Sequence, residues 1–274
     1  MSLLDRYLTV GLRSVEGWLA DYSAHFIAAL SEVQHHAGYT GAVGEIGVYR
    51  GKLFILLLLA ALQSEKAFAL DVFEDQTLNT DGSGSGASRD LFLANVRRWA
   101  ASDANVLVIA RPSFDVRADD ILAVCGKVRL LSVDGGHTEE CAMNDLHLAE
   151  EALLDQGVAI IDDYFNPHWP GVSTGVGKYL MNPDSKLRPF AISPNKLYLT
   201  RPQNCEFYRF EMNQRFRPQK ESRMFGSAVD IYGINPEGVL LSRPLTLASL
   251  AKMRLKQSAL GPQLLAAKAF LERR

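Results

Sequence analysis

The pattern of apolar and polar positions changes character near residue 40. Over residues 3–37, Leu19, Phe26, Leu30 and Val33 recur at spacings of seven, four and three and nothing alternates, which predicts helix. From there short apolar runs alternate with amphipathic stretches. Residues 41–47 (Gly-Ala-Val-Gly-Glu-Ile-Gly) predict a buried strand entering a glycine turn, and residues 51–62 a buried helix. Further strands are predicted at 67–71, 106–110, 128–134 and 158–162, with helices at 88–99, 118–124 and 138–154 between them. In the last of these, Ala142, Leu146, Ala149 and Leu153 keep the helical period. Residues 187–192 and 196–200, split by Ser193-Pro194-Asn195, predict a closing hairpin. Strands alternating with helices imply right-handed crossovers and an open, mostly parallel sheet. The predicted organisation is a helical cover over 1–40, an α/β core over 41–202 and an extension over 203–274, with a final helix from about residue 245.

Composition narrows the function classes. The chain has 29 Lys and Arg against 31 Asp and Glu, a net charge of −2, which removes the simple electrostatic case for nucleic-acid binding. Cys125, Cys141 and Cys205 are too few and too widely spaced for a zinc pattern or a disulfide frame. The most apolar run, 53–62, is well short of the roughly 18 residues that a membrane span needs. Residues 1–30 lack the layout of a secretory signal, so a cytoplasmic protein is expected. The average charge hides a segregation: residues 134–163 hold nine acids and no Lys or Arg, whereas 186–223 hold nine basic residues and three acids.

In open α/β sheets, ligands bind outside the carboxyl ends of the strands. Here those ends carry Glu45 and Gly47, Asp71, Ser113, Asp134 with His137, and Asp162 with Asp163. The first turn, Gly44-Glu45-Ile46-Gly47-Val48-Tyr49-Arg50-Gly51, has a carboxylate inside it and lacks the glycine spacing of a dinucleotide fingerprint. Glu45 repels a pyrophosphate but suits a phosphate-free, cationic cofactor such as S-adenosylmethionine, with its ammonium and sulfonium groups. Gly47 and Gly51 allow close backbone approach. Asp71 is placed to accept ribose hydroxyls, as the acid ending the second strand does in nucleoside-binding sheets.

At these residues the chain resembles the class I S-adenosylmethionine-dependent methyltransferases. Their motif E/D-x-G-x-x-x-G is matched by Glu45, Gly47 and Gly51, and their acid after strand two by Asp71. The resemblance covers roughly residues 41–200 and implies a Rossmann-like sheet of seven strands, mostly parallel, with helices on both faces. Ser113 and Asp134 then fall on the cofactor side, and Phe114 near an adenine ring. More narrowly, Ser132-Val-Asp134-Gly-Gly-His137 followed by Ile160-Ile-Asp162-Asp163-Tyr164 resembles the metal-dependent O-methyltransferases of the macrocin and mycinamicin type, which modify sugars on natural products. That resemblance implies Asp134, Asp162 and Asp163 as magnesium ligands and His137 as the base. Carboxylate oxygens suit a hard, octahedral cation, and a hydroxyl on such a cation is acidified enough for a neutral imidazole to deprotonate it near pH 7. Gly136 stands where some sugar methyltransferases of this group carry an acid, leaving base chemistry to His137 alone.

Other readings of the same residues stay open. Each glycine also suits a tight turn, Asp162 and Asp163 can bind backbone amides of the next loop, and His137 can cap the following helix. Asp145 is expected on a helix surface and His147, beside the apolar stripe, at the surface or in packing, while His35 and His36 close a helix where a cation is favoured. Tyr164, His168 and Trp169 are candidate substrate walls, and the loop 81–86 is either a lid or a linker. The expected activity is methyl transfer to a small-molecule hydroxyl, a sugar or glycoside, by a chain that can pair into a homo-oligomer through its N-terminal helices. The rivals are a metal-independent methyltransferase on another acceptor, an amine included, a non-catalytic cofactor-binding partner, and an NAD-dependent oxidoreductase disfavoured by Glu45.

Overall fold

The computed structural model describes residues 1–234 except 80 and 101, so the final helix expected from about 245 lies outside the described residues. One mixed sheet organises the molecule, in the order β3-β2-β1-β4-β5-β7-β6-β9-β8. Its strands are β1 (Ala42–Ile46), β2 (Ala67–Asp71), β3 (Val106–Ala110), β4 (Val128–Val133), β5 (Leu153–Asp162), β6 (Arg188–Ser193), β7 (Lys196–Thr200), β8 (Lys220–Met224) and β9 (Ser227–Ile231). The first five pair in parallel, and β7 runs antiparallel between β5 and β6.

Among the described residues nine strands replace the seven expected. The two additional strands form a hairpin inside the extension that begins at residue 203, and β9 pairs in parallel with β6 through Ala191–Asp230 and Ile192–Ile231. Strand β8, Lys-Glu-Ser-Arg-Met, is polar on both faces and sits at the sheet edge, so it carries no alternation to read.

The central parallel strands β1, β2 and β4 are buried on both faces, which is why they read as continuous apolar runs. Val43, Ala67 and Ala69 enter one apolar cluster, while Ala42, Ile46, Phe68 and Leu70 enter the other. On the first face lie α3 (Asp21–His36), α4 (Lys52–Ala60), α5 (Arg89–Ala100) and α9 (Cys205–Asn213), with Phe26 packing on Tyr198, Phe216 and Tyr232. On the second lie α6 (Ala118–Cys125), α7 (Glu139–Ala152) and α8 (Pro170–Met181).

The single N-terminal helix expected over 3–37 is interrupted. Short helices α1 (Leu3–Arg6) and α2 (Leu12–Ser14) flank a π-helical turn, Tyr7–Gly11, and the chain then leaves helix until Asp21. Gly17, at φ 138°, lies in that break, and its carbonyl accepts a bond from the Lys52 ammonium at 2.5 Å. Helix α3 is tied to the sheet by Arg129 of β4. This fully buried guanidinium donates to both Glu65 oxygens at 2.8 and 2.9 Å, to Ser31 Oγ at 3.0 Å and to Gln34 Oε1 at 2.8 Å. Among the described residues no helix is long and apolar enough to cross a membrane.

Candidate active site

The strand order reverses between β1 and β4, and the carboxyl ends of these two strands form the floor of the candidate site. Gly47 follows β1 at φ 81°, its N–H bonded to the Leu70 carbonyl, while the Asp134 N–H donates to the Ile46 carbonyl, each at 2.8 Å. A Cβ on Gly47 would lie 1.7 Å from the Asp134 carbonyl oxygen, so glycine is required for the two strand ends to meet. Gly51, at φ 87°, precedes α4 and would press a Cβ to 2.9 Å from the Phe92 ring.

Two acids expected to hold a cofactor have distinct surroundings. Glu45 is 2% exposed, its Oε2 has no hydrogen-bond partner among the described residues, and burial pushes its pKa up to about 8, with Asp162 and Asp71 adding to the rise. Asp71 accepts from the amides of Val48 at 2.7 Å and Tyr49 at 2.9 Å through Oδ2, and from Phe73 at 2.7 Å through Oδ1. Its carboxylate therefore shapes the glycine turn directly. The 15–18 segment covers that turn: Tyr49 donates to Glu16 at 3.0 Å, Arg50 pairs with Glu16, and Trp18 packs on Tyr49.

The second cluster gathers around His137. Its Nδ1 lies 3.0 Å from Asp81 Oδ2, and its Nε2 lies 3.1 Å from Asp163 Oδ2 and 3.9 Å from Asp134 Oδ1. The imidazole stacks on Trp169 with ring centroids 4.3 Å apart. Burial disfavours the charged ring, but the carboxylates of Asp163 and Asp81 outweigh it and raise the His137 pKa. Capping falls to Thr138, whose hydroxyl accepts from the Cys141 amide at 3.2 Å. Burial works to raise the Asp163 pKa, yet hydrogen bonds from His137, Asn195 and Asn166 bring it down to about 2. For Asp134, burial and the neighbouring carboxylates Asp162, Asp163 and Glu45 all raise it.

Ligand atoms of Asp134, His137 and Asp163 lie within 4.8 Å of one another, a spacing that fits one small divalent cation. Asp162 stands outside that group. Its Oδ2 is ion-paired with the buried Lys196 ammonium, and its Oδ1 accepts from Asn195 Nδ2 and from the Asp163 amide, each at 2.9 Å. Ser113 turns toward α7, where Asn144 Nδ2 donates to its hydroxyl at 3.5 Å, and Phe114 is exposed.

Two expectations are corrected here. Asp145 is not a surface acid: it is 1% exposed, wedged against Gly135, and burial lifts its pKa to about 6. The helical stripe hides this, because Asp145 sits beside Leu146 and faces the loop after β4 rather than solvent. The loop 81–86 is not a bare linker, since Asp81 accepts from both the His137 amide and its ring. His147 is exposed, as expected, and meets Tyr179 edge-on. Asp81, Asn195 and Lys196 went unnoticed in the sequence. Asp81 opens a Gly-Ser run that reads as flexible, and the other two sit in a hairpin turn whose polar residues need no special explanation.

Residues 45–164 match a family model described as a methyltransferase domain. Among solved structures, the O-methyltransferase NovP is similar over 65% of this chain and 79% of its own, at 21% identity and a TM-score of 0.53. Cofactor-bound Rv0187 from MTB is similar over 72% of this chain and 84% of its own, at 15% identity and 0.51. An O-methyltransferase from Bacillus cereus in complex with SAH covers 72% and 89% respectively, at 13% identity and 0.50. At these identities the likeness is one of fold. No curated protein matches the sequence.

Proposed function

We propose that this chain, whose residues 45–164 match a methyltransferase domain, is a class I methyltransferase that transfers a methyl group from S-adenosylmethionine to a hydroxyl of a small molecule, a sugar or glycoside, with divalent-metal assistance. The observation that carries this reading is His137, held between Asp81 and Asp163 beside Asp134 at the mouth of the glycine turn. Glu45 and the strand-end glycines suit the donor: a buried carboxylate with an unpartnered oxygen favours a cationic ligand, and the turn lets backbone approach it closely. The chemistry that S-adenosylmethionine supplies when bound is a methyl group on a sulfonium, open to in-line displacement. The chemistry that magnesium supplies when bound is to acidify and orient an acceptor hydroxyl, and Asp134 and Asp163 are the carboxylates that would hold it.

The residues divide the remaining work. Asp81 orients the His137 ring by accepting Nδ1–H, and release of the 3.1 Å contact between Nε2 and Asp163 frees Nε2 to take the hydroxyl proton as the methyl group reaches oxygen. Asp81 and Asp163 then flank the imidazolium that results. Trp169 closes one face of the ring and restricts water there.

Metal-independent transfer to another acceptor, an amine included, is the second reading, and the engagement of Asp162 with Lys196 favours it. Calorimetry with S-adenosylhomocysteine, S-adenosylmethionine and NAD is expected to show binding of the first two only. Binding of NAD alone would refute the methyl-transfer reading. Turnover that survives excess chelator would select the metal-independent reading. His137→Ala is expected to lower kcat by about 10²- to 10⁴-fold with donor affinity unchanged. Unchanged kcat would remove His137 from the base role.

A further inference from the structure

Lys196 is a buried lysine that the proposed reaction does not use. It begins β7 directly across from Asp162, its register partner on β5, and its side chain is 2% exposed. The ammonium is ion-paired with Asp162, and Asp134 and Glu45 are the next carboxylates around it. The preceding residue, Asn195, takes a left-handed conformation at φ 60° and aims its amide at the same place, donating to Asp162 Oδ1 at 2.9 Å and Asp163 Oδ1 at 2.6 Å. The turn is pinned from behind. Ser23 of α3 donates to the Pro194 carbonyl at 2.7 Å and lies 2.8 Å from Ser193 Oγ, which is 2.8 Å from Tyr198 Oη, all buried. Both oxygens of Asp162 are thus occupied by groups fixed in the sheet.

We propose that Lys196 is a resident cation of this acidic site, a positioning residue that with Asn195 holds Asp162 out of the coordination of a divalent ion, leaving Asp134 and Asp163 as the carboxylates that bind it. This rests on the metal site proposed above. An ion that recruited Asp162 would strand a buried ammonium without its partner, whereas one held by Asp134 and Asp163 leaves the pair intact. Lys196 also offsets one of the negative charges that crowd the strand ends, which limits how strongly the site attracts a divalent cation.

The test is Mn²⁺ binding to the full chain without donor or acceptor, followed by calorimetry and by the electron paramagnetic resonance signal of free Mn²⁺. Asp163→Asn is expected to weaken binding about tenfold or more, and Asp162→Asn to change it less than about twofold. Lys196→Met frees Asp162 and is expected to tighten binding about tenfold. The Lys196→Met/Asp162→Asn double variant loses that gain, and Lys196→Arg retains wild-type affinity. If the charge left alone in Asp162→Asn prevents folding, the double variant compared with the wild type gives the same information, because both charges are then removed together: affinity within about twofold of wild type supports the inference, and a loss of about tenfold overturns it. Asp162→Asn weakening Mn²⁺ as much as Asp163→Asn would make Asp162 a ligand and overturn the inference while sparing the metal site. Unchanged affinity in Lys196→Met would overturn it too. Absence of Mn²⁺ binding by every protein at about 1 mM would instead refute the metal site itself, and the inference with it.

Discussion

Replacing Gly47 with alanine tests the join on which the candidate site is built. The added Cβ would fall 1.7 Å from the Asp134 carbonyl oxygen, about 1.3 Å inside the 3.0 Å that real Cβ atoms respect, and the obstacle is backbone held in the sheet. Relief requires the ends of β1 and β4 to part, yet both are tied there by 2.8 Å bonds, Gly47 N–H to Leu70 and Asp134 N–H to Ile46. Backbone strain at φ 81° adds about 1 kcal/mol and overpacking about 1–3 kcal/mol. A loss of about 3 kcal/mol corresponds to a Tm lower by about 6–12 °C for a domain of this size. Gly126 supplies the control, since it has φ 75° but nothing within 4 Å of its Cβ position, so Gly126→Ala is expected to cost only the backbone strain, about 1–3 kcal/mol. Thermal and urea unfolding of both variants measure the difference, and titration with S-adenosylhomocysteine reads the site, where Gly47→Ala is expected to weaken binding at least about tenfold. A Gly47→Ala protein that melts like Gly126→Ala and binds the ligand normally would refute the claim that this glycine joins the strand ends.

Two further predictions concern buried acids. Asp145 holds its proton up to about pH 6 in the folded chain but only to about 3.8 when unfolded, so its burial costs stability increasingly as pH rises through that interval. Asp145→Asn is therefore expected to gain about 3 kcal/mol in urea unfolding at pH 8 and little at pH 4; a gain that does not grow with pH would count against the assignment. For Glu65, burial raises the pKa, but bonds from Arg129 and from the Gly41 and Leu62 amides more than reverse this and leave it lowered. Its contribution is thus complete above about pH 4.5 and is lost as pH falls through the folded value. Glu65→Gln, which leaves the buried Arg129 without its counter-charge, is expected to cost about 3–5 kcal/mol at pH 7 and to flatten the stability profile below 4.5, whereas wild-type stability in the variant would reject the role given to this pair.

The sequence by itself determined the alternating frame and which residues stand at most of the strand ends. Strands buried on both faces leave continuous apolar runs, and helices packed on one face leave a 3.6-residue stripe, so β1 to β5 and α7 were legible within a few residues. Glu45, Gly47, Asp71, Asp134, His137 and Asp163 lie in or within a few residues of the carboxyl ends of their strands, a position that local pattern can locate. What lay beyond local pattern was decided by tertiary contacts. The break in the N-terminal helix comes where residues 15–20 leave helix to cover the glycine turn, and β8 is polar because an edge strand has no core to face. Asp145 is buried by the loop that folds over it rather than by its own helix. The partners of the candidate base and of Asp162 also came only with the fold: Asp81 reaches His137 across 56 positions, and Lys196 reaches Asp162 across 34. Sequence periodicity reports which side of an element is buried; the partner that a buried charge finds depends on strand register and loop path, which form only when the sheet closes.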